Sequence, residues 1–374
     1  MILIATQCFS PITGGMESLM TGLATAIKNK GIDIVVLADG RKNTAEIAYD
    51  RTCSYPIQRF SGFKPLRKYL KTKAIKKLIQ KYDIEAIFTD SWKSAETVIN
   101  VAQHNKIPVI TLAHGNELLT QNRNSRAIRI KNILSKVDTI IANSIYTAGL
   151  VKKLGIDPQL VTVVHPGVTP PPSPSDETIS RVSHWFEPYD PILLTIARLE
   201  PRKGHDQVIR CLPRLLNTYP NLGYLIAGNG PDRERLESLA RELNLMDNVI
   251  FLGRVSEEEK TALLKQADLF VMPVRDDMEG HSVEGFGIAY IEAAFIELPA
   301  LAGQSGGVPD AVVNGETGIL CDGTKIEEIA TTIQQYLTNP QDKTTMGEAA
   351  KKRAETEFTW AVVVERYLAT IQKT

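Results

Sequence analysis

Short, uninterrupted apolar runs alternate with amphipathic stretches along the whole chain. In the first half, Ile2–Ala5, Ile32–Ala38, Ile84–Thr89, Val109–Ala113, Thr139–Ala142 and Val161–Val164 predict strands. Stretches such as Glu17–Lys30 and Lys93–Asn105, with apolar residues at helical spacing, predict the helices between them. Continuous Val/Ile/Leu runs, as opposed to alternating ones, mark strands covered on both faces, as in a parallel sheet. The rhythm breaks at residues 166–191, which hold Pro166, Pro170, Pro171, Pro172, Pro174, Pro188 and Pro191. It restarts with strand runs at Ile192–Ala197, Tyr224–Ala227, Val249–Leu252, Leu269–Met272 and Pro299–Ala302. Helical patterns at His205–Thr218, Asp232–Leu243 and Ser256–Gln266 separate them. The expected architecture is α/β, with two doubly wound Rossmann-like domains facing a cleft. The expected domains are 1–168 and 191–356, joined by a proline-rich linker at 169–190, because proline removes donors and disfavours helix. From Ile326 the pattern is helical throughout, and a last helix at about 357–374 is expected to pack back on the first domain. No sequence repeat of 20–50 residues accompanies this duplication of architecture.

The composition fits such a fold and narrows its context. The chain has 374 residues, 43% hydrophobic and 23% charged, with 43 basic and 43 acidic side chains. A disordered chain would be poorer in apolar residues and further from neutrality. A net charge of zero argues against a nucleic-acid binder. The opening Met1-Ile2-Leu3-Ile4-Ala5 reads as a buried strand, not a signal peptide, and no run approaches the 18 apolar residues of a membrane span. Cys8, Cys53, Cys211 and Cys321 lie far apart with no C-x-x-C pair. Free thiols in a cytoplasmic protein are expected, without a disulfide framework or a zinc site.

In open α/β sheets, ligands bind beyond the carboxyl ends of the strands, so the loops that follow strands carry the candidate chemistry. Gly14 and Gly15 precede the first helix, either as a phosphate-approaching turn or as a plain chain reversal. Arg198 and Lys203 flank the loop after the first strand of the second domain. There a guanidinium and an ammonium near a helix start could neutralise a diphosphate. Glu284 precedes a glycine-bearing loop, Gly285-Phe286-Gly287-Ile288, and Glu292 lies eight residues on in the expected helix. Glu284 could accept from sugar hydroxyls and Glu292 from ribose hydroxyls; the alternative is a pair of ordinary helix-start and surface charges. His114 follows a first-domain strand and could bind or shuttle a proton, although a lone histidine is more often structural. Gly228-Asn229-Gly230-Pro231 and the loop 303–309 also follow strands, as phosphate turns or as connections. No D-x-D triplet occurs, so a carboxylate-held metal is not expected, and helix dipoles with Arg198 and Lys203 would supply the positive field.

The ordered set Gly14-Gly15, His114, Arg198-x₄-Lys203, Phe251-Leu252-Gly253, Glu284-Gly-Phe-Gly-x₄-Glu292 and Ser305-Gly-Gly-Val-Pro309 resembles the retaining glycosyltransferases of family 4. The resemblance covers nearly the whole chain and is strongest from Ile192 to Asp322. Segments 198–205 and 283–288 look most like bacterial phosphatidylinositol-mannoside mannosyltransferases. It implies a GT-B architecture and transfer of a hexose from a nucleotide sugar, with GDP-mannose favoured over UDP-glucose or UDP-N-acetylglucosamine. The acceptor would be lipid-linked or a glycan, and no cofactor or metal is implied. By the resemblance, Arg198 and Lys203 would hold the donor diphosphate and Glu284 the donor sugar. Phe286, Gly287 and Ile288 would offer backbone groups, Glu292 would hold the ribose, and Arg254 and Val255 would meet the base. His114 and Gly15 would close from the first domain. Asn116 stands where some close relatives carry a second histidine. Two other readings stay open: a two-Rossmann nucleotide-sugar epimerase, and a binding module without catalysis. A dehydrogenase is disfavoured, since no strand is followed by G-x-G-x-x-G with an acid at the usual distance.

The zero net charge conceals an asymmetry. Up to residue 170 there are 23 basic and 12 acidic residues; beyond it there are 20 and 31. Lys64, Arg67, Lys68, Lys71, Lys73, Lys76, Lys77 and Lys81 cluster with no acid among them, interleaved with Leu66, Tyr69, Leu70, Leu78 and Ile79. Segment 64–81 is either a peripheral contact with an anionic membrane or a solvated helix face. The expected state is a monomer or homodimer, cytoplasmic or peripheral on the inner face of the plasma membrane.

Overall fold

A computed structural model describes residues 1–120, 125–276 and 282–371. The backbone forms two units, Met1–Thr169 with Thr359–Thr374, and Pro170–Phe358.

The first unit is built on a parallel sheet of seven strands. These are β1 (Ile2–Thr6), β2 (Ile34–Asp39), β3 (Ile57–Phe60), β4 (Ala86–Thr89), β5 (Val109–Ala113), β6 (Thr139–Ala142) and β7 (Val161–Val163), in the order β3-β2-β1-β4-β5-β6-β7. Ile2 of β1 lies opposite Ile34 of β2 on one side and Ala86 of β4 on the other. Successive side chains point to opposite faces, and here both faces are covered. Leu3, Ala5, Val35, Leu37 and Ile87 share a core with the helix Trp92–His104. Ile2, Ile4, Val36, Ala38 and Phe88 share another with the helices Gly15–Asn29 and Trp360–Leu368. This double coverage explains why the strands read as continuous apolar runs. The last helix enters with the Trp360 ring filling the space beside Gly22 and Gly167, where a Cβ would come within 2.2 and 2.5 Å of it.

The second unit repeats the plan with six parallel strands, β8 (Ile192–Ile196), β9 (Gly223–Ala227), β10 (Val249–Gly253), β11 (Leu269–Met272), β12 (Ala300–Gly303) and β13 (Gly318–Cys321), in the order β10-β9-β8-β11-β12-β13. Its strands point core residues such as Leu193, Tyr224, Ile226 and Leu301 at helices that include His205–Leu216 and Ile326–Thr338.

The sequence pattern missed β3 and β13. Both are four-residue edge strands; β3 carries Gln58 and Arg59 instead of an apolar run, and β13 opens on Gly318 directly after a turn. The proline-rich stretch at 169–190 is also more than a joint. It holds a helix, Asp176–Ser183, capped by Ser175, and both Ser175 and Thr178 donate to Glu258 of the second unit. The prolines there set the entry to that helix without preventing it.

In a parallel sheet all carboxyl ends lie along one edge. The strand order reverses between β1 and β4 in the first unit and between β8 and β11 in the second. The loops that part at these two reversals are where a doubly wound sheet opens a crevice.

Candidate functional site

In the second unit, the loops after β8 and β11 are joined by one carboxylate. After β8 the chain makes a tight turn at Pro201–Lys203 and enters the helix His205–Leu216. Arg202 Nη1 and Lys203 Nζ each approach Glu284 Oε2 at 2.5 Å, from a loop on the other side of the reversal. Both cations engage the same oxygen, and no hydrogen bond to Oε1 is found among the described residues. Burial alone would raise the Glu284 carboxyl, but the Lys203 ammonium and the Arg202 guanidinium outweigh it and hold it below the ordinary carboxylate value. Backbone contacts brace both loops: Gly307 N–H donates to Glu284 O at 2.8 Å, and Arg275 N–H donates to Arg202 O at 2.9 Å. The Arg275 side chain then reaches Asp206, with Nη2 at 2.9 Å from both carboxylate oxygens.

Lys203 and Glu284 thus meet, but Arg198 does not join them. Its side chain is 73% exposed and lies 3.3 Å from Glu200 Oε1. Arg202, which sequence reasoning passed over, occupies the place beside Glu284 and is further held by Glu200 Oε2 at 3.0 Å. Its signal is adjacency to Lys203 in Pro-Arg-Lys-Gly, where two neighbouring cations share one short turn and spacing does not say which faces Glu284.

Gly287 turns the chain into the helix Ile288–Phe295 with φ 101°, a left-handed conformation that costs glycine little. A Cβ there would fall 2.5 Å from the Tyr290 ring. Tyr290 is buried, donates its hydroxyl to Met272 O at 2.6 Å and meets Phe270 edge-on, which anchors the helix to β11. The Phe286 ring is buried 5.6 Å from that of Phe358, so its side chain serves packing. Ile288 supplies the first residue of the helix. Glu292 receives Lys260 Nζ on Oε1 at 2.7 Å, and Lys260 also meets Glu257 at 2.6 Å. Burial pushes the Glu292 carboxyl up, opposed by Lys260.

Gly228, after β9, adopts φ 143° and lies against the backbone that leaves β8, where a Cβ would come 1.9 Å from Ala197 O. Its N–H donates to Gly253 O at 2.6 Å, so the ends of β8, β9 and β10 are laced together. Arg254 and Val255 follow β10, with Arg254 exposed, and lead to Ser256, whose side chain and Glu259 form a reciprocal cap on the helix Glu257–Gln266.

In the first unit, Gly14 and Gly15 are exposed at the start of the helix Gly15–Asn29, whose N-terminus has no side-chain cap. Gly14 has extended backbone, with the Glu17 carboxylate lying alongside. His114, half-buried after β5, has Nε2 at 2.8 Å from the carbonyl of Asp90. A carbonyl only accepts, so Nε2 carries the proton and Nδ1 is the ring atom left for another partner. The His114 backbone N–H donates to Glu117 Oε1 at 2.7 Å. Asp90 in turn accepts from Gln7 N–H at 2.7 Å and Thr6 Oγ1 at 3.0 Å, which joins β4 to β1. Among the described residues, no three His, Cys, Asp or Glu side chains gather where a metal ion could be held.

Two doubly wound sheets with chemistry-bearing loops along their carboxyl edges are the plan of the GT-B glycosyltransferases. An Anabaena protein, HepE, in complex with UDP has this fold, with a TM-score of 0.82 at 19% identity over 100% of both chains. So does sucrose-phosphate synthase from Thermosynechococcus elongatus, with a TM-score of 0.80 at 19% identity over 100% of this chain and 98% of that one. Residues 13–170 match the family model "Glycosyltransferase Family 4", and residues 176–353 match "Glycosyl transferases group 1". The chain belongs to this family of two-domain glycosyltransferases. It is 29% identical to a GDP-mannose-dependent monoacylated alpha-(1-6)-phosphatidylinositol monomannoside mannosyltransferase of Corynebacterium glutamicum, over 99% of this chain and 97% of the relative. A GDP-mannose-dependent alpha-(1-6)-phosphatidylinositol monomannoside mannosyltransferase of Mycolicibacterium smegmatis is 28% identical, over 96% and 95%.

Proposed function

We propose that this chain transfers a hexose, foremost mannose from GDP-mannose, to a lipid-linked or glycan acceptor, with retention at the anomeric carbon and without a metal ion. The observation that carries this reading is the Arg202–Glu284–Lys203 cluster at the reversal between β8 and β11. A donor diphosphate placed there meets two fixed cations, and the exposed Arg198 can turn to it as a third. These charges stabilise the diphosphate as the glycosidic bond breaks and negative charge grows on the leaving oxygen. Glu284, held ionised, accepts from the donor sugar hydroxyls. The backbone of Phe286, Gly287 and Ile288 lies at a helix start beside sugar and phosphate, with the N-terminal dipole adding to the field. Glu292 accepts from the ribose, and Gly228, Arg254 and Val255 frame the nucleotide. From the first unit, His114 and the Gly14–Gly15 turn address the sugar and phosphate. On the front face, the acceptor hydroxyl forms the new bond while its proton passes to the departing phosphate oxygen.

The mannosyltransferase relatives support GDP-mannose and a lipid acceptor. The helix Lys64–Lys81 supports peripheral membrane contact: Phe63, Leu66, Tyr69 and Leu70 are exposed beside exposed Lys73, Lys76, Lys77 and Lys81. Basic residues near an anionic leaflet contribute about 1 kcal/mol each. A second reading, UDP-glucose as donor, is favoured by solved structures of HepE with UDP and with UDP-glucose. Thermal shift against GDP-mannose, UDP-glucose and UDP-N-acetylglucosamine ranks the donors, since a ligand of the folded state raises the melting temperature. Proton NMR of the product then reads the anomer. An inverted product, or no response to any nucleotide sugar, rejects the proposal.

A further inference from the structure

One arginine near the end of the second unit grips the loops around Glu284. Arg353 ends the helix Pro340–Arg353, and the chain continues into a π-helical turn, Ala354–Phe358, the last residues of that unit. Such turns are rare and occur mostly at functional places. Arg353 Nη1 donates to Ala311 O and Nη2 to Asp310 O, both at 2.8 Å, across 42 and 43 positions of sequence. These carbonyls close the short helix Val308–Ala311, where the last turn has no intrahelical donors to offer them. Nε donates to Glu357 Oε2 at 3.2 Å, so all three guanidinium nitrogens are engaged. The guanidinium also lies over the Phe358 ring, 4.9 Å from its centroid.

Two routes lead from Arg353 to the loop that carries Glu284. One runs through the backbone: Gly307 opens the helix Val308–Ala311, and its N–H donates to Glu284 O at 2.8 Å. Ser305 Oγ donates to Asp276 Oδ1 at 2.5 Å, so Asp276 and Arg353 hold the stretch 305–311 at its two ends. The other route is aromatic: Phe358 is fully buried and meets the Phe286 ring edge-on at 5.6 Å. Both routes converge on positions 284 and 286 of one loop. The turn Pro201–Lys203 is braced separately, by Arg275 N–H on Arg202 O at 2.9 Å. A guanidinium suits position 353, because its planar fork spans two neighbouring carbonyls, whereas an ammonium is a point charge on a flexible stem.

We infer that Arg353 is a positioning residue of the transfer reaction. It sets the backbone of the 284–288 loop, and with it the Glu284 carboxylate, without meeting the donor itself. The inference rests on the transferase reading and adds a residue to the donor half of that site. Its effect falls on the sugar and not on the nucleotide, since Arg202 and Lys203, which meet the diphosphate in the proposed reaction, are held from elsewhere. A misplacement of about 1 Å at the reacting groups is enough to slow a reaction about 10²-fold.

Arg353→Met and Arg353→Lys, made in the full chain and shown by melting curves to fold, test this against the unaltered protein. Turnover of GDP-mannose, followed as GDP release, should fall about tenfold to 10²-fold in Arg353→Met. Its dissociation constant for GDP, read by calorimetry, should change by less than about threefold, the split that marks an interaction felt mainly in the transition state. Arg353→Lys keeps a cation over Phe358 and one carbonyl contact; it should recover part of the turnover, and it carries the same comparison if Arg353→Met does not fold. Hydrogen exchange of the chains without donor reads the geometry itself. Amides of 284–288 and 305–311 should exchange faster in Arg353→Met, while those of β1–β7 keep their rates. A lower melting temperature with unchanged turnover, or turnover and GDP affinity falling in proportion, makes Arg353 a purely structural residue and overturns the inference. Unchanged exchange at 284–288 overturns it as well. If the unaltered chain neither binds nor turns over any nucleotide sugar, the transferase reading falls, and faster exchange in Arg353→Met still upholds the clamp on the loop.

Discussion

Lys203 and Glu284 lie 81 positions apart in the chain and meet at 2.5 Å, each holding the other in place across the reversal of the second sheet. In the proposed reaction the diphosphate meets at Lys203 a cation that is already oriented, and preorganised charge does not have to be rearranged. Lys203→Ala and Glu284→Ala should each lower turnover about 10²-fold or more, the magnitude of a lost oxyanion contact. Steady-state kinetics check this, and a near-normal rate in either variant removes that residue from the mechanism.

Arg202 and Arg198 should separate in stability. Arg202→Met leaves the half-buried Glu284 with one cation, and the unfolding free energy should fall by about 1.5–3 kcal/mol, the range for hydrogen bonds to charged groups. Arg198→Met, at an exposed position, should leave the urea midpoint unchanged while slowing transfer. Equal midpoints for both variants would contradict the geometry.

Lys260→Met should destabilise the second unit by about 1–3 kcal/mol at pH 7, because it removes the cation held by the half-buried Glu292 carboxylate. Burial raises the Glu292 carboxyl in the folded state, so the stranded charge is penalised above its folded titration point. The penalty should shrink as pH falls through that point toward the ordinary carboxylate value. Urea titrations at pH 7 and pH 5 read the difference directly.

His205 is 1% exposed, and neither ring nitrogen has a partner among the described residues. Burial, then the Lys203 charge, lowers it to about 3, with Asp206 opposing. The unfolded chain takes up a proton near pH 6.5 that the folded chain refuses, so stability is lost as pH falls from 6.5 toward 3. The slope in that window is about 1.4 kcal/mol per pH unit. In His205→Leu, the loss between pH 6.5 and pH 5 should be smaller by up to about 2 kcal/mol, that slope taken over the interval; an unchanged pH dependence would exclude His205 as its source.

Gly228→Ala places a methyl group on the Ala197 carbonyl in a conformation that alanine rarely adopts. The cost should be about 1–3 kcal/mol of backbone strain, or a drop of roughly 2–9 °C in the melting temperature of a unit this size. Donor affinity should fall with it, because Gly228 N–H ties β9 to Gly253. Turnover with excess EDTA, in contrast, should equal turnover without it, since no step of the proposed reaction uses a metal.

Much of the plan was legible in the chain, because apolar runs and breakers are local signals. Most strands of both sheets could be read from runs such as Val109–Ala113, where double coverage makes every position apolar. Two edge strands could not: β3 carries Gln58 and Arg59 in place of an apolar run, and β13 opens on a glycine directly after a turn. At the site, Lys203, Glu284 and Glu292 were visible as types at a spacing. Their partners were not: Lys260 comes from another helix, and Arg202 rather than Arg198 reaches Glu284 because of how one short turn orients two neighbouring side chains. The cations of 64–81 looked like one cluster, yet the helix sorts them by face. Lys64, Arg67, Lys68 and Lys71 line a cavity, while Lys73, Lys76, Lys77 and Lys81 are exposed.

The Trp360 ring beside Gly22 and Gly167 bears on how the protein is made. The helix that completes one face of the first sheet is translated after the entire second unit, so a ribosome that has delivered residues 1–169 has delivered a sheet still short of Val363, Val364 and Tyr367. Domains generally fold in order of synthesis, but this one must wait for residues made after the second unit. A frameshift near residue 355 would leave the second unit nearly whole and strip apolar cover from the first.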